Sequence, residues 1–358
     1  MEQFYFTVGP AQIHPKVLEY SSQFYNEGLG SVSHRSEAFR NMYKEADREL
    51  RLLLNVPDDF AILFLSSASE IFERLLLNCV HTHSFHAING SFAHKFYKFS
   101  LALGKKAVAQ EFPLGTGFTA DALKVPADAE LICLTHNETS TGVSIPENTI
   151  AEVHQRHPNA LLAVDIVSSA PNVRLDFTQL DMAFFSVQKA FGLPSGLGVW
   201  FIRQSAVEKV QHLAKTQMVG AQNTLDALIK NYKNFETPST PNIYNIYLLG
   251  KIAGEYNRYG VEKLRAETKE KATMLYDFLE QSVHFKAFVQ DPQYRSETVI
   301  VVDCLHHSPT DVISKLKSMG LTVSSGYASL KDRQIRVANF PVVTKEKIQE
   351  LIDSLGRF

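Results

Sequence analysis

Between residues 60 and 203 short apolar runs alternate with helical patterns, and this alternation narrows the available folds more than any other feature. The runs are Ala61–Leu65, HAING (His86–Gly90), KAVAQEF, ELICL (Glu130–Leu134), the stretch of ALLAVDIVSS that runs into Asp165, MAFFSV and GVWFIR. Residues 36–54 read as an amphipathic helix. Phe39, Met42, Tyr43, Ala46, Leu50 and Leu53 share one face, Ser36 is its N-cap, and Pro57 closes the segment. Further helices are expected from Glu70 to about Val80 and from Phe92 to Leu103. Short apolar strands alternating with helices predict an α/β fold, with a mostly parallel sheet sandwiched by helices in a large domain. Such sheets bind ligands outside the carboxyl ends of their strands. The residues to inspect are therefore Ser67–Ser69, Gly90–Phe92, Thr135–Thr141, Asp165 and Gln188–Lys189.

After ETPSTPNIY (Glu236–Tyr244) the texture changes. Long helical patterns cover about 242–283; then come ETVIVVDC, a helix near 309–319 ended by Gly320, LTVSS, QIRVAN and a final helix from Thr344. This reads as a smaller α+β C-terminal domain. We expect residues 16–250 to form the large domain, and residues 1–15 with 251–358 the small one. For 358 residues, a prior of roughly 150 per domain also gives two. The net charge of −2, with both signs interspersed, offers no footprint for nucleic acid or an anionic membrane, so small-molecule partners are expected. Cys79, Cys133 and Cys304 form no CxxC pair and read as buried reduced thiols of a cytoplasmic protein. The first fifteen residues do not have the pattern of a signal peptide, and no apolar run approaches the length of a membrane span.

The strand ends collect a lysine, an acid, an aromatic and a turn of small hydroxylated residues. A helix N-terminus with free N–H groups holds a phosphate. An aspartate fixed at a strand end keeps a ring nitrogen protonated, and a lysine drawn out of water becomes a nucleophile toward carbonyls. Together these are the requirements of pyridoxal phosphate. Each residue also has an ordinary reading. Lys189 could be a solvated surface residue, Asp165 a helix N-cap, SSAS (Ser66–Ser69) a plain βα turn and Phe92 core. Their order along the sheet edge (turn, aromatic, acid, lysine) is what makes the set informative.

The chain resembles the class V, fold-type I pyridoxal-phosphate aminotransferases, and within them the phosphoserine aminotransferases most. The matching stretches are FTVGPAQIHPKV, SVSHRSEAF, RLLLNVP with ILFLSSASEIF, NGSF, HNETSTG, AVDIVSS, SVQKAFGLPSGLGV, ETPSTPNIY and QIRVAN, from residue 6 to about 340. The resemblance implies pyridoxal 5'-phosphate bound as a Schiff base to Lys189, the catalytic residue. Asp165 would face the pyridine nitrogen, Phe92 would stack on the ring, and Thr139 would sit beside it. Ala68, Ser69 and Gln188 would hold the cofactor phosphate, joined by Thr237 of a second subunit, which implies a homodimer with shared active sites. Arg336 would clamp the substrate α-carboxylate, and His34 and Arg35 would contact a substrate phosphate.

The implied reaction is transamination between L-phosphoserine and 2-oxoglutarate, giving 3-phosphohydroxypyruvate and glutamate, in serine biosynthesis. The sequence departs from the family where Gly326, Tyr327 and Ala328 stand in place of an expected Gly-His-Arg, with Lys331 and Arg333 as the nearby cations. Glu236 replaces the asparagine usual before TP, and the phosphate turn lacks a glycine pair. GYASLKDRQIR and VDIVSS are also similar to alanine– and serine–glyoxylate aminotransferases, which act on small unphosphorylated amino acids. A binding protein that has kept the fold without catalysis is the alternative outside the enzymes. A cysteine desulfurase would need a reactive cysteine on a mobile loop, whereas Cys304 ends an apolar strand. A nicotinamide dehydrogenase would need GxGxxG, where LSSASE stands, and GLPSGLG misses the GxSxG of a serine hydrolase by one position. His81, His83 and His86 have no standard metal spacing, so no metal is expected.

Overall fold

The computed structural model describes residues 3–358. Its larger sheet has seven strands in the order Phe60–Leu65, Gly198–Arg203, Met182–Ser186, Leu161–Asp165, Leu131–Thr135, His83–Ile88 and Lys106–Glu111. Gly198–Arg203 runs antiparallel to both neighbours, and the other pairings are parallel. The apolar runs fill both faces by simple alternation. Phe60, Ile62, Phe64, Phe85, Ile132, Leu162, Ala183 and Phe201 enter one core. Ala61, Leu63, Leu131, Leu161, Met182, Phe184, Trp200 and Ile202 enter the other. This two-sided burial explains why the central runs are nearly all apolar, while the edge strand Lys106–Glu111 keeps Lys106, Gln110 and Glu111.

The helices begin where local capping places them. Ser36 accepts the Phe39 N–H at the start of Glu37–Leu54, and Asn55 ends that helix in the left-handed region. The next helix starts at Ala68, two residues before the expected Glu70, because Ser67 caps it by accepting the Glu70 N–H. Glu37–Leu54 packs along Ile243–Tyr259 at close range, since a Cβ on Gly250 would lie 3.1 Å from the Ala46 amide. The domain boundary expected at residue 250 thus falls inside a helix. Gly260, at φ +95°, separates this helix from Val261–Gln281, which packs against the second sheet.

That sheet has the order Phe4–Phe6, Leu321–Ser325, Gln334–Ala338, Val299–Cys304 and Phe285–Ala287. The N-terminal strand therefore belongs with the C-terminal elements, pairing parallel to Leu321–Ser325. The chain then crosses under the large sheet, where Ala11 N–H donates to the Gln188 carbonyl and His14 N–H to that of Gly192. Cys79 and Cys133 are buried and Cys304 is half-buried, so the expectation of three buried thiols holds for two; none is in a disulfide. No described helix is long and apolar enough to cross a membrane.

Candidate active site

Leu65, Ile88, Thr135, Asp165 and Ser186 end their strands at one edge of the large sheet. A cavity opens there, lined by Ser67, Ala68, Ser69, Phe92, Thr139, Asp165, Gln188 and Lys189 among others. Met182–Ser186 delivers Lys189 three residues past its end. Its Nζ donates to Thr139 Oγ1 at 2.7 Å and stands 5.3 Å from the centre of the Phe92 ring. Only 6 % of Lys189 is exposed. Burial pulls the ammonium's pKa down to about 8, with Asp165 and Glu138 opposing the shift. Two close backbone approaches frame the side chain. A Cβ on Gly9 (φ +139°) would lie 3.2 Å from Lys189 Cε, and one on Gly192 (φ +60°) would lie 2.7 Å from the His14 amide nitrogen.

Asp165 is buried, and its Oδ1 accepts the Val167 N–H at 2.8 Å. Burial raises its pKa to about 7. It is therefore a carboxylate that a cation placed before it would stabilise. Phe92 opens the helix Ser91–Ala102 and presents its ring beneath the lysine. In the same cavity, the first turn of Ala68–Cys79 forms a positively polarised helix end. There the Ala68 N–H donates to Ser186 Oγ at 2.8 Å, and Ser69 Oγ accepts from Lys95 Nζ at 2.8 Å. Gly198 makes this approach feasible, since a Cβ on it would lie 2.6 Å from the Ser67 carbonyl carbon.

Arg336 comes from the second sheet. It is 8 % exposed, its Nε donates to the Ser325 carbonyl at 2.8 Å, and its Nη1 donates to the Thr139 carbonyl at 3.3 Å. Burial lowers its pKa to about 10. The fold thus brings Ala68, Ser69, Phe92, Thr139, Asp165, Gln188, Lys189 and Arg336 together. It does not bring His34, Arg35 or Thr237 to them. Thr237 lines a separate cleft with Ser66, Glu70, Gly196 and Asn223, and Arg35 is paired with Glu236 and Asn231. Lys331 and Arg333 are exposed and do not line the cavity.

Sequence reasoning passed over three residues. Glu138 is fully buried and its carboxylate accepts the Phe92, Ala93 and Ser140 N–H groups and the Ser140 hydroxyl. Lys95 carries a cation to Ser69, and Tyr327 packs on Phe92. Lys95 was detectable one turn beyond Phe92 on the same helix; Glu138 fell within Thr135–Thr141 and Tyr327 stood out as a departure from the family pattern, but neither signalled its contacts.

These residues suit a flat aromatic cation with an anionic arm. Lys189 can condense with its aldehyde, Asp165 can answer its ring nitrogen, Phe92 gives a stacking face, and the polarised helix end with Lys95 can take the phosphate. The residues present therefore fit pyridoxal phosphate.

Comparison with known proteins agrees. The sequence profile of the family described as "Aminotransferase class-V" matches residues 3–95 and 102–351. A phosphoserine aminotransferase of Rhodococcus opacus is 26 % identical over 366 residues, covering 98 % of this chain and 93 % of the relative. A crystal structure of a phosphoserine aminotransferase from Cytophaga hutchinsonii superposes with a TM-score of 0.96 at 41 % identity, covering 99 % of this chain and 98 % of that one. A pyridoxal-phosphate-bound phosphoserine aminotransferase from Trichomonas vaginalis shares the fold at 22 % identity, with a TM-score of 0.84 over 99 % of this chain and all of that one. With the profile spanning nearly the whole chain and the lysine, acid and aromatic meeting at one sheet edge, the chain belongs to the class-V aminotransferases, fold-type I enzymes whose cofactor is pyridoxal phosphate.

Proposed function

We propose that this aminotransferase moves the amino group of L-phosphoserine to 2-oxoglutarate, giving 3-phosphohydroxypyruvate and glutamate, the amino-transfer step of serine biosynthesis. The observation that carries the reading is the 41 % identity, over 99 % of the chain, to a protein named phosphoserine aminotransferase.

Pyridoxal phosphate supplies an aldehyde for the amine and a protonated ring that withdraws electrons from the carbon bearing it. The chain's own residues do the rest. Lys189 holds or releases a proton at Nζ near neutral pH because burial has lowered its proton affinity, and Thr139 Oγ1 fixes where that nitrogen sits. Asp165 keeps a negative charge at the ring-nitrogen side, out of water. Ala68, Ser69 and Gln188 take the cofactor phosphate, with Thr237 completing it from a second subunit of a homodimer. Arg336 binds the α-carboxylate, while His34 and Arg35 bind the substrate phosphate. Three free thiols fit a reducing, cytoplasmic setting.

A second reading, amino transfer from alanine or serine to glyoxylate or pyruvate, draws on one observation. The uncharged Tyr327 stands against Phe92, where the family pattern would place a His-Arg pair. A coupled assay on the purified holoenzyme separates the two. We expect kcat/KM for L-phosphoserine to exceed that for L-alanine and L-serine by about a hundredfold, the value of one or two charge-assisted contacts to the phosphate. We also expect Arg35→Ala to remove most of that preference. Equal or better turnover of alanine would overturn the phosphoserine assignment.

A further inference from the structure

We infer that Tyr327 is a positioning residue for Arg336, holding its guanidinium against an aromatic face beside Phe92 so that the α-carboxylate of every amino donor is met at one fixed place. The inference rests on the reading of Arg336 as the carboxylate clamp.

The observation behind it is a buried cation without an ion pair. Among the described residues Arg336 has no carboxylate partner; its Nε and Nη1 reach only the carbonyls of Ser325 and Thr139. These two carbonyls lie against the edges of the guanidinium and leave its flat faces to other neighbours. The remaining support is Tyr327, whose ring centre lies 5.3 Å from Arg336 Cζ on one side and 5.3 Å from the Phe92 ring, tilted by 37°, on the other. A guanidinium over a phenol ring is attracted to the π face; here the cation is buried at 8 % exposure while Tyr327 keeps 41 % of its surface exposed.

The connection carrying Tyr327 is folded tightly enough to aim it. Gly326 N–H donates to the Gln334 carbonyl at 2.7 Å, and Leu330 N–H donates to the Tyr327 carbonyl at 3.0 Å. A Cβ on Gly326 would collide with the Leu330 carbonyl, and Ala328 takes a left-handed φ of +49°. Lys331, Asp332 and Arg333 of the same connection stay exposed. Tyr327 thus links the cofactor's stacking residue to the proposed carboxylate clamp.

The test uses the holoenzyme and the variants Tyr327→Ala, Tyr327→Leu, Tyr327→Phe, Arg336→Ala and Tyr327→Ala with Arg336→Ala. KM and kcat are measured for L-phosphoserine, L-alanine and L-serine. Phosphoethanolamine, an amine lacking the carboxylate, is titrated by its effect on the cofactor's absorbance band. Loss of the π face should raise KM about tenfold for every amino donor that turns over, with kcat within about threefold. Tyr327→Leu, which keeps apolar bulk on Phe92, should match Tyr327→Ala, and Tyr327→Phe should restore KM. The phosphoethanolamine midpoint should stay in place, and Tyr327→Ala should add nothing in the Arg336→Ala background.

The inference is overturned if the phosphoethanolamine midpoint moves as far as KM does. It is equally overturned if only phosphoserine is affected, or if the Tyr327 and Arg336 effects simply add. Failure of phosphoserine to turn over would count against the proposed reaction alone, because alanine and serine report on the same clamp.

Discussion

Asp165 and Lys189 place opposite charges in one dry cleft, and each costs folding free energy until a ligand answers it. For Asp165 the pKa rises from 3.8 to about 7 on folding. Between those values the unfolded chain holds fewer protons than the folded one, so the acid's contribution to stability declines as pH rises across the window. Lys189 behaves conversely, because its pKa falls from 10.5 to about 8. The unfolded chain then holds more protons between those values, and stability grows with pH there. In cofactor-free protein, Asp165→Asn should therefore be stabilising relative to wild type, increasingly so from pH 4 to pH 7 and by on the order of 2–4 kcal/mol at the top. Thermal melts at a series of pH values measure it, and a difference between variant and wild type that stays flat across the window refutes it. On the role proposed for Asp165 at the ring nitrogen, the same substitution should lower transamination by about a thousandfold or more.

At the scale of elements, the helix Ser91–Ala102 lacks a side chain at its own cap. Gly90 occupies the N-cap, and Glu138, 48 residues further on, accepts the Phe92 and Ala93 amides in its place. A Cβ on Gly90 would fall inside the envelope of Glu138 Cγ and lie 2.6 Å from Ser140 Oγ, so the glycine makes room for the acid. Glu138→Ala leaves several buried donors unanswered and should cost about 3 kcal/mol. Gly90→Ala should cost a similar amount through overlap. The two should be clearly less than additive, because removing the glutamate opens the space the methyl needs. Denaturant unfolding of the singles and the double measures the coupling, and strict additivity would rule out this arrangement.

This arrangement also marks where the sequence stops being readable. The seven strands are legible because an apolar run needs no partner to be recognised. Lys189 and Asp165 are legible because both follow such runs, Asp165 at a strand's last residue and Lys189 three residues past one. Glu138 sits in HNETSTG as an acid among loop residues, and nothing local announces that its donors lie near residue 92. Tyr327 shows only as a departure from the family pattern, since its meaning depends on a ring and a guanidinium from two other segments. The ribbon of Asn137–Glu138 with Val143–Ser144 is too short to show any period.

On the scale of the whole molecule, the residues left outside the cavity form a group of their own. Arg35 pairs with Glu236, Arg40 pairs with the same carboxylate, and Thr237 is the next residue in the chain. If Thr237 serves the cofactor of a second subunit, Arg35, tied to the adjacent glutamate, must be presented to that subunit too. Two defective variants can therefore repair one another. Lys189→Ala removes the proposed catalytic lysine, and Arg35→Ala removes the proposed phosphate contact. In a hybrid dimer the intact lysine belongs to the Arg35→Ala subunit, while the intact arginine belongs to its partner. One complete site forms only if arginine and lysine come from different chains. Random subunit exchange should then restore about one quarter of wild-type phosphoserine turnover, since half the dimers are hybrids with one complete site of two. If Arg35 served its own chain's cavity, every hybrid site would lack a residue and mixing would restore nothing. Activity measured before and after mixed refolding, with hybrids confirmed by a tag on one variant, distinguishes the two. Recovery in the mixture would place the substrate phosphate at the junction of two chains, consistent with Arg35 lying outside the cavity of a single chain.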